Sequence, residues 1–159
     1  MDLAFRETRI ADIEQLFDVR AATRENPVSR QTLATLGYTP ESTAADLLSG
    51  QIKGWVCVHK SRVVGFCSGC LENGEVLVLA VLPEYEGRGI GKQLLARTVN
   101  GLRSGGAIRI WLAASPDPLR RAYGFYRAQG WQPTGERTSD DEEILVLGEC
   151  SLSAGVKGT

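Results

Sequence analysis

The chain has 159 residues, 43% of them hydrophobic and 23% charged, the balance of a soluble globular protein long enough to bury one core. Its formal net charge of −1 leaves no broad basic field for nucleic acid or an anionic membrane. No apolar run approaches the ~20 residues that cross a bilayer, and Met1-Asp-Leu-Ala-Phe-Arg-Glu7 lacks the basic-then-apolar order of a signal peptide, so the cytoplasm is the expected location.

Leu3 to Glu7 opens as a short strand. Ile10, Ile13, Leu16, Phe17 and Val19 then recur at helical spacing, with Thr8 or Asp12 as caps. Asn26-Pro27 interrupts that helix, and Arg20, Arg24 and Arg30 cluster around the break. A second helix starts at Tyr38-Thr-Pro-Glu41: Thr39 suits the cap, Pro40 the first turn and Glu41 the positive end of the dipole. It ends at Ser49-Gly50. Three strand-like runs follow, Trp55 to His59, Val63 to Leu71 and Glu75 to Leu82, separated by tight turns at Lys60-Ser61 and Glu72-Asn-Gly74. They predict an antiparallel meander, and the nearly unbroken apolar character of the third predicts a central position in the sheet.

Pro83 stops the third strand. A loop leads into a helix from about Gly89 to Leu102, with Ile90, Leu94, Leu95 and Val99 on one face, closed by Ser104-Gly-Gly106. Ile108 to Leu112 reads as the next strand, and strand, helix and strand together predict a crossover with parallel strands. Pro116 and Pro118 precede a helix from about Leu119 to Gln129. Trp131 to Glu136 and Ile144 to Leu147 give two last strands around a polar turn. Residues 1–150 thus read as one domain without repeats or linker, and the Ser- and Gly-rich residues 151–159 as a frayed tail. Of the four cysteines, Cys57, Cys67, Cys70 and Cys150, the pair Cys67-Ser-Gly-Cys70 has CxxC spacing. On a strand, residues three apart face opposite sides, so structural thiols are expected and no metal site. His59, beside a turn, is expected as an edge residue.

The chemistry concentrates between the third strand and the following helix. Gly87, Gly89 and Gly91 let the backbone turn sharply and expose its N–H groups. With the positive helix end, and with Arg88 and Lys92 adding charge, these groups suit a diphosphate. Two common phosphate loops fit badly. A Walker A motif ending at Gly91-Lys92 requires glycine where Glu86 stands and Ser or Thr where Gln93 stands, and a dinucleotide fingerprint from Gly87 requires glycine at Lys92.

Leu79-Ala-Val-Leu-Pro-Glu-Tyr-Glu-Gly-Arg-Gly-Ile-Gly91 resembles the acetyl-CoA signature of the GCN5-related N-acetyltransferase (GNAT) superfamily, and Ala122-Tyr-Gly-Phe-Tyr-Arg-Ala-Gln-Gly-Trp131 resembles its second conserved segment. The element order agrees along nearly the whole chain. The resemblance implies an α/β (α+β) fold: a mixed, mostly antiparallel sheet of about six or seven strands, splayed into a V and flanked by about four helices. It implies a β-bulge near Ala80-Val81, pantetheine pairing with the backbone of Leu79, Ala80 and Val81, and the diphosphate on the amides of Gly87, Arg88, Gly89, Ile90, Gly91 and Lys92. Tyr126 matches a tyrosine that in many members faces the CoA sulfur. Tyr123 and Phe125 lie nearby and would line the cofactor tunnel, with core packing an equal alternative for Phe125. Two positions depart from the pattern: Glu86 stands where the signature usually begins with Gln or Arg, and Leu119 stands where many members have Asn. Glu86 is expected to point to solvent, with Arg88 offsetting its charge.

The implied reaction is acetyl transfer from acetyl-CoA to a primary amine of a small molecule, amino acid or peptide, by direct attack in a ternary complex. Glu75 is the candidate general base and Tyr126 the candidate acid, with a backbone N–H around Leu79 to Val81 as oxyanion donor. A solvated Glu75 and a core-packed Tyr126 are the plainer alternatives. The acceptor would lie against residues 20–40 and 134–142, with Arg24, Asn26, Arg30 and Tyr38 as candidate contacts. The arginines either greet a carboxylate or form a solvated helix face, and Asp140-Asp-Glu-Glu143 reads as an exposed turn. A homodimer agrees with similar proteins. The competing functions are a non-catalytic acyl-CoA-binding regulatory module and an acyltransferase using another acyl-CoA.

Overall fold

A computed structural model describes residues 1–148, and the expected Cys150 thiol and tail lie outside them. The chain divides into two compact units, Met1–Ile108 and the remainder from Arg109.

In the first unit β1 (Ala4–Glu7), β2 (Ile52–His59), β3 (Arg62–Cys70) and β4 (Val76–Val81) form an antiparallel sheet in the order β1-β2-β3-β4. The meander is as expected: Lys60 and Ser61, at φ 51 and 64, make the tight turn between β2 and β3. β4 is the last strand of its sheet rather than a central one. Its apolar run reflects alternation, with Val76 and Ala80 buried while Leu77 stays 36% exposed.

Four helices accompany this sheet. A 3-10 turn at Ile10–Asp12 leads into α1 (Ile13–Ala21), which buries Ile13, Leu16, Phe17 and Val19. Neither expected cap serves α1 through its side chain. The Asp12 carboxylate turns back to accept from the Arg9 N–H at 2.7 Å and from Arg6 at 2.8 and 2.9 Å. The short α2 (Arg30–Thr35) was not expected, although Ser29 caps it by accepting from the Thr32 N–H. α3 (Pro40–Ser49) has the expected boundaries: Thr39 and Ser42 exchange side-chain and backbone bonds, and Gly50 ends the helix at φ 81. α4 (Ile90–Ser104) lays Ile90, Leu94, Leu95, Thr98, Val99 and Leu102 into the core. Gly65 and Gly69 of β3 lie under it: a Cβ on Gly65 would stand 3.3 Å from Ile90 and Leu94, and one on Gly69 2.8 Å from Leu102. Cys57 and Cys67 are fully buried, and loss of water pushes their thiols up to about 11 and about 12.

In the second unit β5 (Trp111–Ala114), β6 (Trp131–Arg137) and β7 (Glu143–Leu147) form an antiparallel sheet in the order β5-β7-β6, with α5 (Arg121–Ala128) between β5 and β6 in sequence. Ile110, Leu112, Ala114, Trp131 and Leu145 are its buried apolar residues. The described strands therefore make two antiparallel sheets with five α-helices, a mixed α/β fold. The expected parallel pairing across α4 belongs to neither sheet: β4 pairs with β3, and β5 with β7. β5 also begins later than its apolar sequence suggested, because Ile108 is fully exposed. No helix among the described residues is long and apolar enough to cross a membrane.

Candidate active site

The glycine loop is assembled from a strand end, one turn and a helix start. After β4, Pro83–Tyr85 winds into a 3-10 turn. His59, at the end of β2, holds that turn: its Nδ1 and the Tyr85 hydroxyl share a 2.7 Å hydrogen bond, and the rings meet edge to face at 5.5 Å. His59 is thus more than an edge residue. No sequence periodicity joins positions 59 and 85, so the contact was not foreseeable.

Gly87 and Gly89 sit at φ 76 and 77, where glycine avoids the clash other residues meet. A Cβ on either would meet no atom within 4 Å, so the loop opens onto space. Gly89 is the N-cap of α4, and the first bond closing the helix runs from the Gln93 N–H to the Gly89 carbonyl at 3.1 Å. The N–H groups of Ile90, Gly91 and Lys92 accordingly lack an acceptor within the helix and carry the positive end of its dipole. Arg88 and Lys92 are exposed beside them. Ile90 contributes only its backbone here, since its side chain is core.

Glu86 does not point to solvent. Its side chain is 15% exposed and accepts from Arg24 Nε at 2.9 Å. Arg24 comes from the segment after α1.

Along β4, Leu79 and Val81 are half-buried and Ala80 is buried. They pair with Cys67, Gly65 and Phe66 on one edge, and within this sheet the other edge of β4 has no partner strand. The implied bulge near Ala80-Val81 is not there. The register shifts between Ser68 and Gly69, where the half-exposed Leu77 is the extra residue on β4. Glu75, half-buried, is fixed at the foot of β4: its N–H donates to Asn73 Oδ1 at 2.9 Å and its carbonyl accepts from the Cys70 N–H at 2.8 Å.

The segment after α1 is internally braced. Arg20 Nη1 donates to the Asn26 carbonyl at 2.6 Å, and Asn26 takes φ 53. Burial lowers the Arg20 pKa from its ordinary value. Arg30 is engaged by Glu14 at 2.8 Å and Asp18 at 3.0 Å and lies over the Phe17 ring. Tyr38 is 49% exposed.

In the second unit α5 presents half-buried Tyr123, Phe125 and Tyr126. Tyr126 meets Phe125 and Trp131 edge to face, at 5.3 and 6.0 Å between ring centres. The Arg127 guanidinium stacks 3.6 Å above the Tyr123 ring and makes a two-point ion pair with Glu143 on β7, at 2.8 and 3.0 Å. Glu143 is 8% exposed, so it does not belong to the exposed acidic turn. Leu119 is 90% exposed ahead of α5. Among the described residues no three His, Cys, Asp or Glu gather as an ion site.

Three kinds of comparison bear on this arrangement. The acetyltransferase (GNAT) domain model matches residues 51–133, from β2 to the start of β6. A Bacillus subtilis (strain 168) protein, provisionally named ribosomal protein bS18-alanine N-acetyltransferase, is 25% identical over 153 residues, 91% of this chain and 93% of its own. Among solved structures, the PaiA N-acetyltransferase of Thermoplasma acidophilum in complex with coenzyme A is similar at TM-score 0.77, with 22% identity, covering 94% of this chain and 100% of that one. The ribosomal-protein-S18-alanine N-acetyltransferase of Escherichia coli is similar at TM-score 0.67, with 16% identity over 92% of this chain and 93% of that one.

Proposed function

This chain belongs to the GNAT acetyltransferase family, an acyltransferase lineage, and from that premise we propose that it transfers the acetyl group of acetyl-CoA to a primary amine by direct attack in a ternary complex. The observation that carries the reading is the loop at the head of α4. Gly87 and Gly89 face open space, and the N–H groups of Ile90, Gly91 and Lys92 lack helical acceptors. Neutral amides converging at a dipole's positive end suit two linked phosphates. The unpartnered edge of β4 within its sheet offers Leu79, Ala80 and Val81 to an extended pantetheine chain as an added strand would be.

In this reading the amine nitrogen forms a bond to the thioester carbonyl carbon and the carbon–sulfur bond breaks. An alkylammonium has a pKa near ~10, so a base must take its proton at neutral pH. Glu75 takes it, directly or through water. A β4 backbone N–H near Leu79 to Val81 steadies charge on the carbonyl oxygen. The Tyr126 hydroxyl returns a proton to the departing thiolate, its ring held by Phe125 and Trp131.

The acceptor approaches along residues 20–40, by Asn26, Arg30 and Tyr38. The names carried by the B. subtilis and E. coli relatives favour the α-amine of a protein or peptide beginning with alanine. The test is a thiol-release screen of the purified protein with acetyl-CoA against alanine-initiated peptides, lysine peptides, free amino acids, polyamines and aminoglycosides. The reading expects sustained release with one class. Acetyl-CoA binding without release on any amine would make the chain a binding module instead.

A further inference from the structure

The first position of the glycine loop holds an acid where the resembled signature holds Gln or Arg. A lone carboxylate beside a diphosphate would oppose binding by like-charge repulsion. Glu86 is not alone. Its largely buried carboxylate accepts from Arg24 Nε, while the Arg24 side chain remains 63% exposed. A guanidinium carries five N–H donors in a planar fork. Only the Nε–H is used in the pair, and among the described residues the two terminal nitrogens of Arg24 donate to no protein group. The segment that carries Arg24 is itself braced by the Arg20–Asn26 contact and by the Val28 N–H donating to the Arg20 carbonyl at 3.0 Å. Its neighbours are otherwise occupied: Arg20 with that brace, Arg30 with Glu14 and Asp18.

The geometry points to Arg24 as a diphosphate-contacting residue of the acyl-CoA site, with Glu86 as the positioning residue that holds it at the loop. The carboxylate takes one edge of the guanidinium and turns the terminal nitrogens toward the ligand. The chain thereby brings in, from the segment after α1, the cation that its loop lacks at the first position. This inference rests on the acyl-CoA reading and assigns Arg24 to the donor rather than the acceptor.

The test is calorimetric titration of coenzyme A, and of coenzyme A lacking its 3′-phosphate, into wild type, R24A, E86A and R24A/E86A. R24A is expected to weaken both ligands by the same factor, about tenfold to a hundredfold, as for loss of a charge-assisted bond. E86A is expected to weaken binding when Arg24 is present and to strengthen it in the R24A background, where no Arg24 charge stands between the acid and the diphosphate. A purely structural pair would not show that reversal of sign, and its absence overturns the positioning role. Loss confined to intact coenzyme A would move Arg24 to the 3′-phosphate and overturn the assignment. If R24A melts far below wild type, R24Q replaces it, since glutamine keeps most of the length. Wild-type binding with R24A unchanged sinks this inference alone, whereas no binding by wild type removes the acyl-CoA reading beneath it.

Discussion

Gly89 and Tyr126 are the residues at which the reading is most exposed to test. An added Cβ at Gly89 has room, but φ 77 is a conformation that costs an L-residue about 1–2 kcal/mol and a β-branched one more. Gly89→Val should therefore fold with a modest loss of stability, while its side chain occupies the space before the α4 amides. Coenzyme A affinity should drop by more than about tenfold, measured by titration, with the melting temperature as control; retained tight binding would refute the loop. Tyr126→Phe keeps both edge-to-face contacts and removes one hydroxyl. Turnover should fall by about a hundredfold, within the range for a general acid, with acetyl-CoA binding nearly unchanged. Equal turnover across pH would remove Tyr126 from that role. Both candidates were nominated by the sequence because they sit in contiguous patterns. The Arg24–Glu86 and His59–Tyr85 contacts were not, since their partners lie 62 and 26 positions apart. Nothing local in a sequence specifies which charges or rings such a chain brings together.

At the scale of elements, stability concentrates where one element is fixed to another. Asp12, 4% exposed at the head of α1, joins Arg6 of β1 through two bonds and also accepts from Arg9. Burial alone would raise its pKa. The Arg6 bonds, the Arg9 N–H and the charges of both arginines outweigh burial and leave the carboxyl below its ordinary value. Its stabilisation is then fully present above the unfolded pKa, near ~4, and is lost as pH falls through the lower folded value. Asp12→Asn should cost about 2 kcal/mol at neutral pH, and the gap to wild type in denaturant titrations should close below about pH 4; a gap constant with pH would mean that charge plays no part. Gly101 gives the opposite lesson about propensity. Gly-to-Ala in a helix interior ordinarily stabilises by up to about 1 kcal/mol. Here the new Cβ would stand 2.2 Å from the Trp55 ring, so Gly101→Ala should instead destabilise by about 1–3 kcal/mol. Periodicity and turn chemistry located β2, β3, β4, α3 and α4 well, because each has a hydrophobic face and a marked end. They missed α2, whose six residues bury nothing fully, and they misplaced β4 within its sheet. An alternating edge strand and a central one can share the same apolar letters.

At the scale of the whole chain, a net charge of −1 and a pI near 5.9 give no general attraction for a polyanion. Any grip on coenzyme A must come from local sources: the neutral amides at the head of α4, the exposed Arg88 and Lys92, and Arg24 at Glu86. These sources respond differently to salt. Exposed charges are screened beyond about 10 Å at 0.1 M ionic strength, while short amide-to-phosphate hydrogen bonds are screened little. Binding to the folded chain alone, at a hundred times its dissociation constant, adds about 2.7 kcal/mol to stability. For a chain of this size each kcal/mol moves the melting temperature by about 2–4 °C, so a shift of about 5–10 °C is expected. Raising salt from about 50 to about 500 mM at fixed ligand should shrink that shift without abolishing it. Complete loss at high salt would mean that side-chain charge alone does the binding and that the loop amides contribute nothing. No shift at millimolar coenzyme A in low salt would mean that this chain, though built on the acetyltransferase fold, does not hold the acetyl donor.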